Sequence, residues 1–478
     1  MPLNFIANAF VASTSGHTLA VIDPSDGQPF EEIQRSNAQD VDHAVHAARQ
    51  CQDAVWHRLG AAERGRLLLQ LSGKVMAHAD ELATLEQRDG GKPARQARTE
   101  VLALAGALAF YAKACGTLQE APLALPLDSD GVLAWREPHG VTGHLISWTH
   151  PMPVFGRSVG AALAAGNVCV VKPSGSASLS LLRVAQLAAE AGLPAGAINI
   201  VTGHGHEAGD ALARHPGVAH LSFAGRPAVG TLIQQAAAQR HCPVVLELGG
   251  KSPQIVFADA DLDAALPVIV HAIVHNAGQS GTAASRLLVD ALVYEPLLER
   301  LGKAFEQLRV GPATMDPDLG PLIHARQQQR VWDFLSDAQV DGIPMVAQGQ
   351  IADDAPETGF YQAPTLLRDV PVEHRLAQEE IAGPVLCAMP FEDEDHAVEL
   401  GNAVHACPAA GVWTRDGARQ FRMARRLLAR KVFINHYGTD GSVELPFAAE
   451  PSAGCAHSQD LQVLDALSTL KTVAVRHG

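Results

Sequence analysis

Charge is sparse in this 478-residue chain, and so are aromatic rings: Asp, Glu, Lys and Arg supply 18% of it and Phe, Trp and Tyr 5%. With 47% apolar residues, it is an ordinary globular composition rather than that of a disordered chain. The charge present is mostly acidic, a net −15 at pH 7, which argues against nucleic acid or an anionic membrane as main partner. Seven cysteines, at 51, 115, 169, 242, 387, 407 and 455, are scattered, odd in number and free of CxxC spacing. Reduced thiols in a cytoplasmic protein are therefore expected. No uninterrupted apolar run reaches about 18 residues, so no membrane span is predicted. The opening MPLNFIANAFVASTSG lacks a basic segment followed by a long apolar one, so no signal peptide is predicted.

What is present is length and alternation. A single hydrophobic core stops growing beyond about 250–300 residues, so two or three lobes are expected. Apolar positions recur at helical spacing through 42–56, 61–77 and 98–118, broken by a turn at Asp89–Pro93. Residues 121–139 alternate and are punctuated by turn residues, which predicts a β-hairpin. From 140 onward short apolar strands (Val141–Ile146, Val168–Lys172, Ala197–Val201, Ala219–Phe223) alternate with helix-like Leu179–Ala191 and Glu207–Arg214. A second series follows, with strands predicted at Gln254–Phe257, Arg286–Val289, Val385–Pro390, Gly411–Thr414 and Val432–Asn435. The tail Gln462–Val475 has a mixed pattern able to pair with another strand. Such alternation predicts an α/β fold with parallel sheets and crossover helices.

Short motifs punctuate this frame in a fixed order. Gly91-Lys92-Pro93 is followed by Arg136–Val141, Gly166-Asn167-Val168, Val171–Ser174, Gly203-His204-Gly205, Phe223-Ala224-Gly225, Glu247–Ser252, Asn276–Arg286, Glu380–Val385 and Pro446-Phe447. Taken together over about 400 residues they resemble the aldehyde dehydrogenase superfamily. The resemblance implies a Rossmann-like nucleotide-binding domain (1–120 and 140–247), an α/β catalytic-type domain (248–457) and a β oligomerisation arm (121–139 and 458–478). It also implies a homo-oligomer, dimer or tetramer.

By the same resemblance, the nucleophile segment reads Gly278-Gln279-Ser280 and then Gly281, where the family carries its catalytic cysteine. A glycine has no side chain with which to form an acyl-enzyme. Ser280 and Thr282 point elsewhere and are not replacements. Thr149, within Ser147–Pro151, stands at the family's oxyanion asparagine, and loss of one such donor typically costs about 10²–10³ in rate. Glu247 matches the general base; carboxylates beside apolar pockets can have pKa values suited to that work.

The implied NAD or NADP site is eroded too. Lys172 matches a ribose-binding lysine, but Gly175 replaces its glutamate partner. The phosphate turn keeps Gly225 and Gly230 yet carries Arg226 and Pro227, and Arg226 could meet a pyrophosphate or fill its space. Glu380 matches the nicotinamide-ribose glutamate, while Ala382 replaces a phenylalanine. Pro446–Gly454 departs from the family's glycine-rich segment. Residues that build the fold match; those that touch substrate and cofactor largely do not.

Other constellations carry less. His271 and His275, four apart on one helix face, with His150, suggest a metal site, but no nearby carboxylate completes the ligands and no metal is expected. Glu392–Asp395 reads as a solvated turn. Arg422, Arg425, Arg426 and Arg430 read as a solvated basic face. The expected function is a catalytically silent family member acting as a structural or regulatory subunit, with an active homologue as a candidate partner. The alternatives are a cysteine-independent hydrolase or hydratase using Glu247, or a residual oxidoreductase.

Overall fold

A computed structural model describes residues 2–117, 121–122, 130–438, 444, 454–455 and 460–476. Two large sheets organise them. In the first, five parallel strands lie in the order Ile198–Ile200, Val168–Pro173, Val141–Ile146, His220–Gly225, Val244–Leu248. The chain enters at the middle, winds outward to one edge, then returns to build the other half. Antiparallel strands finish both edges: Asn4–Ile6 with Ala9–Val11 on one side and Gly454–Cys455 on the other. The second sheet runs Met345–Gln348, Thr365–Leu367, Val385–Phe391, Arg286–Asp290, Pro253–Val256, Ala409–Trp413, Lys431–Ile434, and only its first strand is antiparallel.

The central strands Val141–Ile146 and Val168–Pro173 are buried along their whole length, as strands covered by helices on both faces must be. Each sheet anchors its own hydrophobic core. Most predicted elements appear within one or two residues of their expected ends. The helical region resolves into Ala38–Ala54, Ala61–Ala77, Ala79–Gly90 and Ala94–Ala114. The third was missed because the sequence reading took Asp89 and Gly90 for a turn, whereas they form the last residues of the helix and the turn starts at Gly91. The predicted helix Glu207–Arg214 instead begins as a π-turn, Gly205–Gly209, before a short α-helix Asp210–Arg214. The N-terminal strands, including the hairpin Thr18–Ile22 and Pro29–Gln34, were not predicted.

Of the predicted arm, Asp130–Pro138 pairs with Ala121–Pro122 on one side and with Ser468–Arg476 on the other, all antiparallel. The tail thus finds its strand; residues 123–129, 458–459 and 477–478 of the arm lie outside the described residues. Among the described residues no helix is long and apolar enough to cross a membrane. The acidic turn and the basic helix face, expected to be separate solvated features, meet each other: Arg422 pairs with Glu394 at 2.7 Å and Arg426 with Asp395 at 2.6 Å.

Buried histidines give the core a pH limit. His144, fully buried in the central strand, has Nε2 2.9 Å from Thr142 Oγ1, and burial pulls its pKa down to about 3. Burial, with His139 adjacent, pushes His220 well below the ordinary value as well. A depressed histidine pKa means that the unfolded chain binds the extra proton. Stability is therefore complete above about pH 6.5 and is lost as pH falls toward 3, His144 alone withdrawing on the order of 3 kcal/mol by pH 4. Urea titrations between pH 7 and 4 should show this slope and a shallower one in His144→Gln; equal slopes would refute the assignment.

Candidate active site

Strand order in the first sheet reverses between Val141–Ile146 and His220–Gly225. In open α/β sheets ligands bind at such a point, beyond the carboxyl ends of the strands. A cavity of about 1830 Å³ opens there, larger than the roughly 300–1,000 Å³ of a typical ligand pocket. Thr149, Lys172, Gly225, Arg226, Glu247, Gly281 and Glu380 all line it. Gly230 does not. It sits in the helix Pro227–Ala238, where an added Cβ would press into the Leu248 side chain.

Glu247 is delivered by the strand Val244–Leu248, and a residue that sequence reading missed meets it. Arg157, on the helix Pro151–Ala164, places Nε 3.0 and 2.9 Å from the two carboxylate oxygens, and its Nη2 donates to Glu247 as well. Burial would lower the guanidinium pKa, but the charge and hydrogen bonds of Glu247, with Tyr111 and Glu100 nearby, together raise it. Bidentate pairing of this kind occupies the carboxylate lone pairs. Glu247 is therefore the partner of a fixed cation here. The sequence held no signal beyond an arginine on an otherwise apolar helix.

The segment leading to Gly281 keeps an uncommon backbone. Asn276, Ala277 and Gly278 are all left-handed, with φ of 50°, 52° and 71°. Only glycine adopts this freely, and each of the other two stores on the order of 1–3 kcal/mol. At Gly278 an added Cβ would also overlap the Gly383 carbonyl. The loop is tied down all round. Asn276 N–H donates to Gln96 Oε1 (3.1 Å), Asn276 Nδ2 donates to the Thr149 carbonyl (2.9 Å), and Ile323 N–H donates to Gln279 Oε1 (2.9 Å). Gly281 itself is not left-handed, so its backbone would accept a side chain. Space is short, however: an added Cβ would stand 3.0 Å from Gly249 Cα. Thr149, at the expected oxyanion position, has Oγ1 2.8 Å from Ser147 Oγ.

At the cofactor end, burial brings the Lys172 ammonium down to about 8, with no opposite charge among the described residues to offset it. Beside it His204 and His206 stack at 5.1 Å. Arg226, left open by the sequence, turns to Gln327 and donates to Oε1. Gln327 Nε2 in turn donates to the Ile381 and Ala382 carbonyls at 3.0 and 2.8 Å. Burial raises the Glu380 carboxyl to about 7, against the pull of Arg226, Arg330 and Lys251. Pro446–Ala453 lies outside the described residues; Gly454 pairs with Glu247 in the sheet register.

The three histidines do come together: His150 stacks on His275 at 5.6 Å and His275 meets His271 edge-on at 5.5 Å. The expectation that no carboxylate is near them is corrected. Glu100, distant in sequence, has Oε1 2.9 Å from His150 Nδ1. Among the described residues no group of three or more His, Cys, Asp or Glu side chains is arranged to hold a metal ion.

The Arg157–Glu247 pair is mostly buried, with side-chain exposures of 17% and 14%. Breaking such a pair from one side leaves an uncompensated charge and costs about 3–5 kcal/mol when fully buried. Arg157→Met should lose that much in urea denaturation, and adding Glu247→Gln should recover most of it. A single variant as stable as the parent would remove the pair from the account.

The model of the aldehyde dehydrogenase family matches residues 10–473. Hydroxyisobutyraldehyde dehydrogenase of Mycolicibacterium austroafricanum is 34% identical over 475 residues, 99% of this chain and 94% of the relative. A crystal structure from Burkholderia cenocepacia, assigned as an aldehyde dehydrogenase, is 60% identical, with a TM-score of 0.98 and full coverage of both chains. Indole-3-acetaldehyde dehydrogenase AldA of P. syringae, solved as a cysteine-to-alanine mutant with NAD+ and IAA, is 34% identical with a TM-score of 0.96. It covers 100% of this chain and 97% of that one. With the family model spanning nearly its whole length and relatives matching end to end, the chain belongs to the aldehyde dehydrogenase family.

Proposed function

We propose that this chain is silent for NAD(P)-dependent aldehyde oxidation and serves as a structural or regulatory subunit on the aldehyde dehydrogenase fold. The observation that carries this is Gly281. Oxidation by the family's route needs a thiol at that point to add to the aldehyde, and here the Cβ position is crowded by Gly249. Two neighbours speak the same way. Thr149 offers a short hydroxyl tied to Ser147, and Glu247 is held by Arg157. That hold also speaks against the alternative of a hydrolase or hydratase driven by Glu247, and against residual oxidation.

The residues of the cleft fit a dinucleotide best at its adenosine end. Lys172 presents an ammonium without an internal counter-charge, and the helix Pro227–Ala238 aims its positive end at the same cavity. Lys172, Gly225, Arg226 and Glu380 would hold NAD or NADP, which when bound supplies a hydride acceptor. The P. syringae relative, solved with NAD+ in a cysteine-to-alanine mutant, supports nucleotide retention without the thiol. Exposed Leu133 and Leu470 on the antiparallel arm support assembly as a dimer or tetramer, with itself or with an active homologue. The absence of disulfides among the described cysteines supports a cytoplasmic setting.

Incubation with aldehydes and NAD+ or NADP+ should leave the intact mass unchanged and produce no reduced nucleotide; one acyl adduct would overturn the reading. Gly281→Cys alone should stay at least about 10²-fold below an active relative, since the oxyanion donor remains absent. Titration with NAD+, NADH and NADP+ should give saturable binding that weakens at least tenfold in Lys172→Met. Purification from the native host should bring down a second, cysteine-bearing homologue; recovery of the homo-oligomer alone would count against the subunit role.

A further inference from the structure

The cofactor end of the cavity carries a nucleophile that no thiol chemistry requires. Lys172 stands near the carboxyl end of the fully buried strand Val168–Pro173 and lines the cavity with only 7% of the residue exposed. Its stem runs past Gly209, where an added Cβ would stand 3.8 Å from Lys172 Cδ. No carboxylate among the described residues pairs with it. Glu207, on the neighbouring loop, is held instead by Arg35, whose Nε donates to it at 2.9 Å. Gly175, three residues beyond the lysine, brings no side chain. An added Cβ there would meet only the Gly203 carbonyl at 3.7 Å and Leu19 at 3.9 Å, so the place from which a counter-charge could reach the lysine is open space.

Burial without a counter-charge favours the free amine. With the ammonium at about 8, about one Lys172 in ten is neutral at pH 7, against about one in 2,500 for an ordinary lysine. The other seven lysines are placed differently. Lys92 is locked between Glu86 and Glu100. Lys74, Lys303 and Lys471 pair with carboxylates at the surface, and Lys113 is exposed. Lys251 is buried away from the cavity. Lys431 does line the cavity, but beside Arg157 and Glu247 and with partners of its own. A desolvated lysine amine is the group that adds to carbonyl carbons to give a Schiff base. Near it His204 and His206 offer the cavity two rings only 17° from parallel, a platform for a flat aromatic body. Burial holds His204 below its ordinary pKa, in the neutral form that accepts a proton.

We infer that Lys172 captures small aromatic aldehydes as a reversible imine, with the stacked His204 and His206 as the platform for the ring. The Nζ lone pair bonds to the carbonyl carbon, and a proton passes by way of His204 from nitrogen to the carbonyl oxygen. The remaining N–H proton of the carbinolamine leaves with the hydroxyl as water. The C–O bond breaks and a C=N bond takes its place. No oxidant or reductant is consumed, and Gly281 takes no part. Conjugation of the C=N bond with the ring favours aromatic over aliphatic aldehydes. Because Lys172 also belongs to the proposed dinucleotide site, aldehyde and nucleotide exclude each other there.

The probe is salicylaldehyde, incubated at pH 7 with the purified full chain and no dinucleotide, then reduced with borohydride and followed by intact mass and peptide mapping. One reduced adduct per chain is expected, on Lys172; without borohydride, dilution should restore the parent mass. Lys172→Arg, which keeps the charge, should give no adduct. Gly175→Glu sets a carboxylate beside the amine and should slow labelling about 10²-fold at pH 7 by returning the lysine to its ordinary protonation. Gly175→Gln, equal in size but uncharged, should label at close to the parent rate, and this pair keeps the proposal testable if Lys172→Arg fails to fold. An adduct spread over the surface lysines or mapped to Lys431, or equal rates in the two Gly175 variants, would overturn it. The measurement needs neither nucleotide nor turnover, so it and the silent-dehydrogenase reading can fail independently.

Discussion

The pairing of Arg157 with Glu247 organises the centre of this molecule. It bridges the helix after the first central strand to the far strand of the same sheet, across the point where strand order reverses. Two charges taken mostly out of water are held only if each satisfies the other. The guanidinium engages both carboxylate oxygens of Glu247 and fixes that side chain in the wall of the cavity.

Charge reappears a short distance away in different form. Lys92 draws together the helices Ala79–Gly90 and Ala94–Ala114 through Glu86 and Glu100, and its surplus negative charge ends on an imidazole at the cavity wall. One carboxylate of the cavity is neutralised by an arginine; another is aimed, through histidine, at the open space. Polar character has therefore moved around the cavity rather than left it.

The fold was legible because its signals are local. Short apolar runs such as Val168–Lys172 and the turn chemistry around them act within a few residues, and the ordered motifs added the topology. The departures from the resembled motifs at Gly281 and Thr149 are legible for the same reason, since each is read one position at a time. What escaped were meetings between distant residues. Arg157 lies 90 positions from Glu247 and Glu100 lies 50 from His150, and no periodicity encodes either contact. The helix Ala79–Gly90 escaped for a smaller reason: its final Asp89-Gly90 has turn chemistry but helical partners.

The left-handed run Asn276–Gly278 ties the two halves of the chain into one cooperative unit. Its conformation is unfavourable in isolation and is held from outside: Asn276 bonds Gln96 on a helix of the first half and the Thr149 carbonyl beyond the central strand, while the next residue, Gln279, accepts from the Ile323 amide of the second half. Release of any one returns the stored strain to the others, so local opening in either half propagates through the loop to the opposite half. The segment that leads to Gly281 thus also serves as a fastening between the lobes.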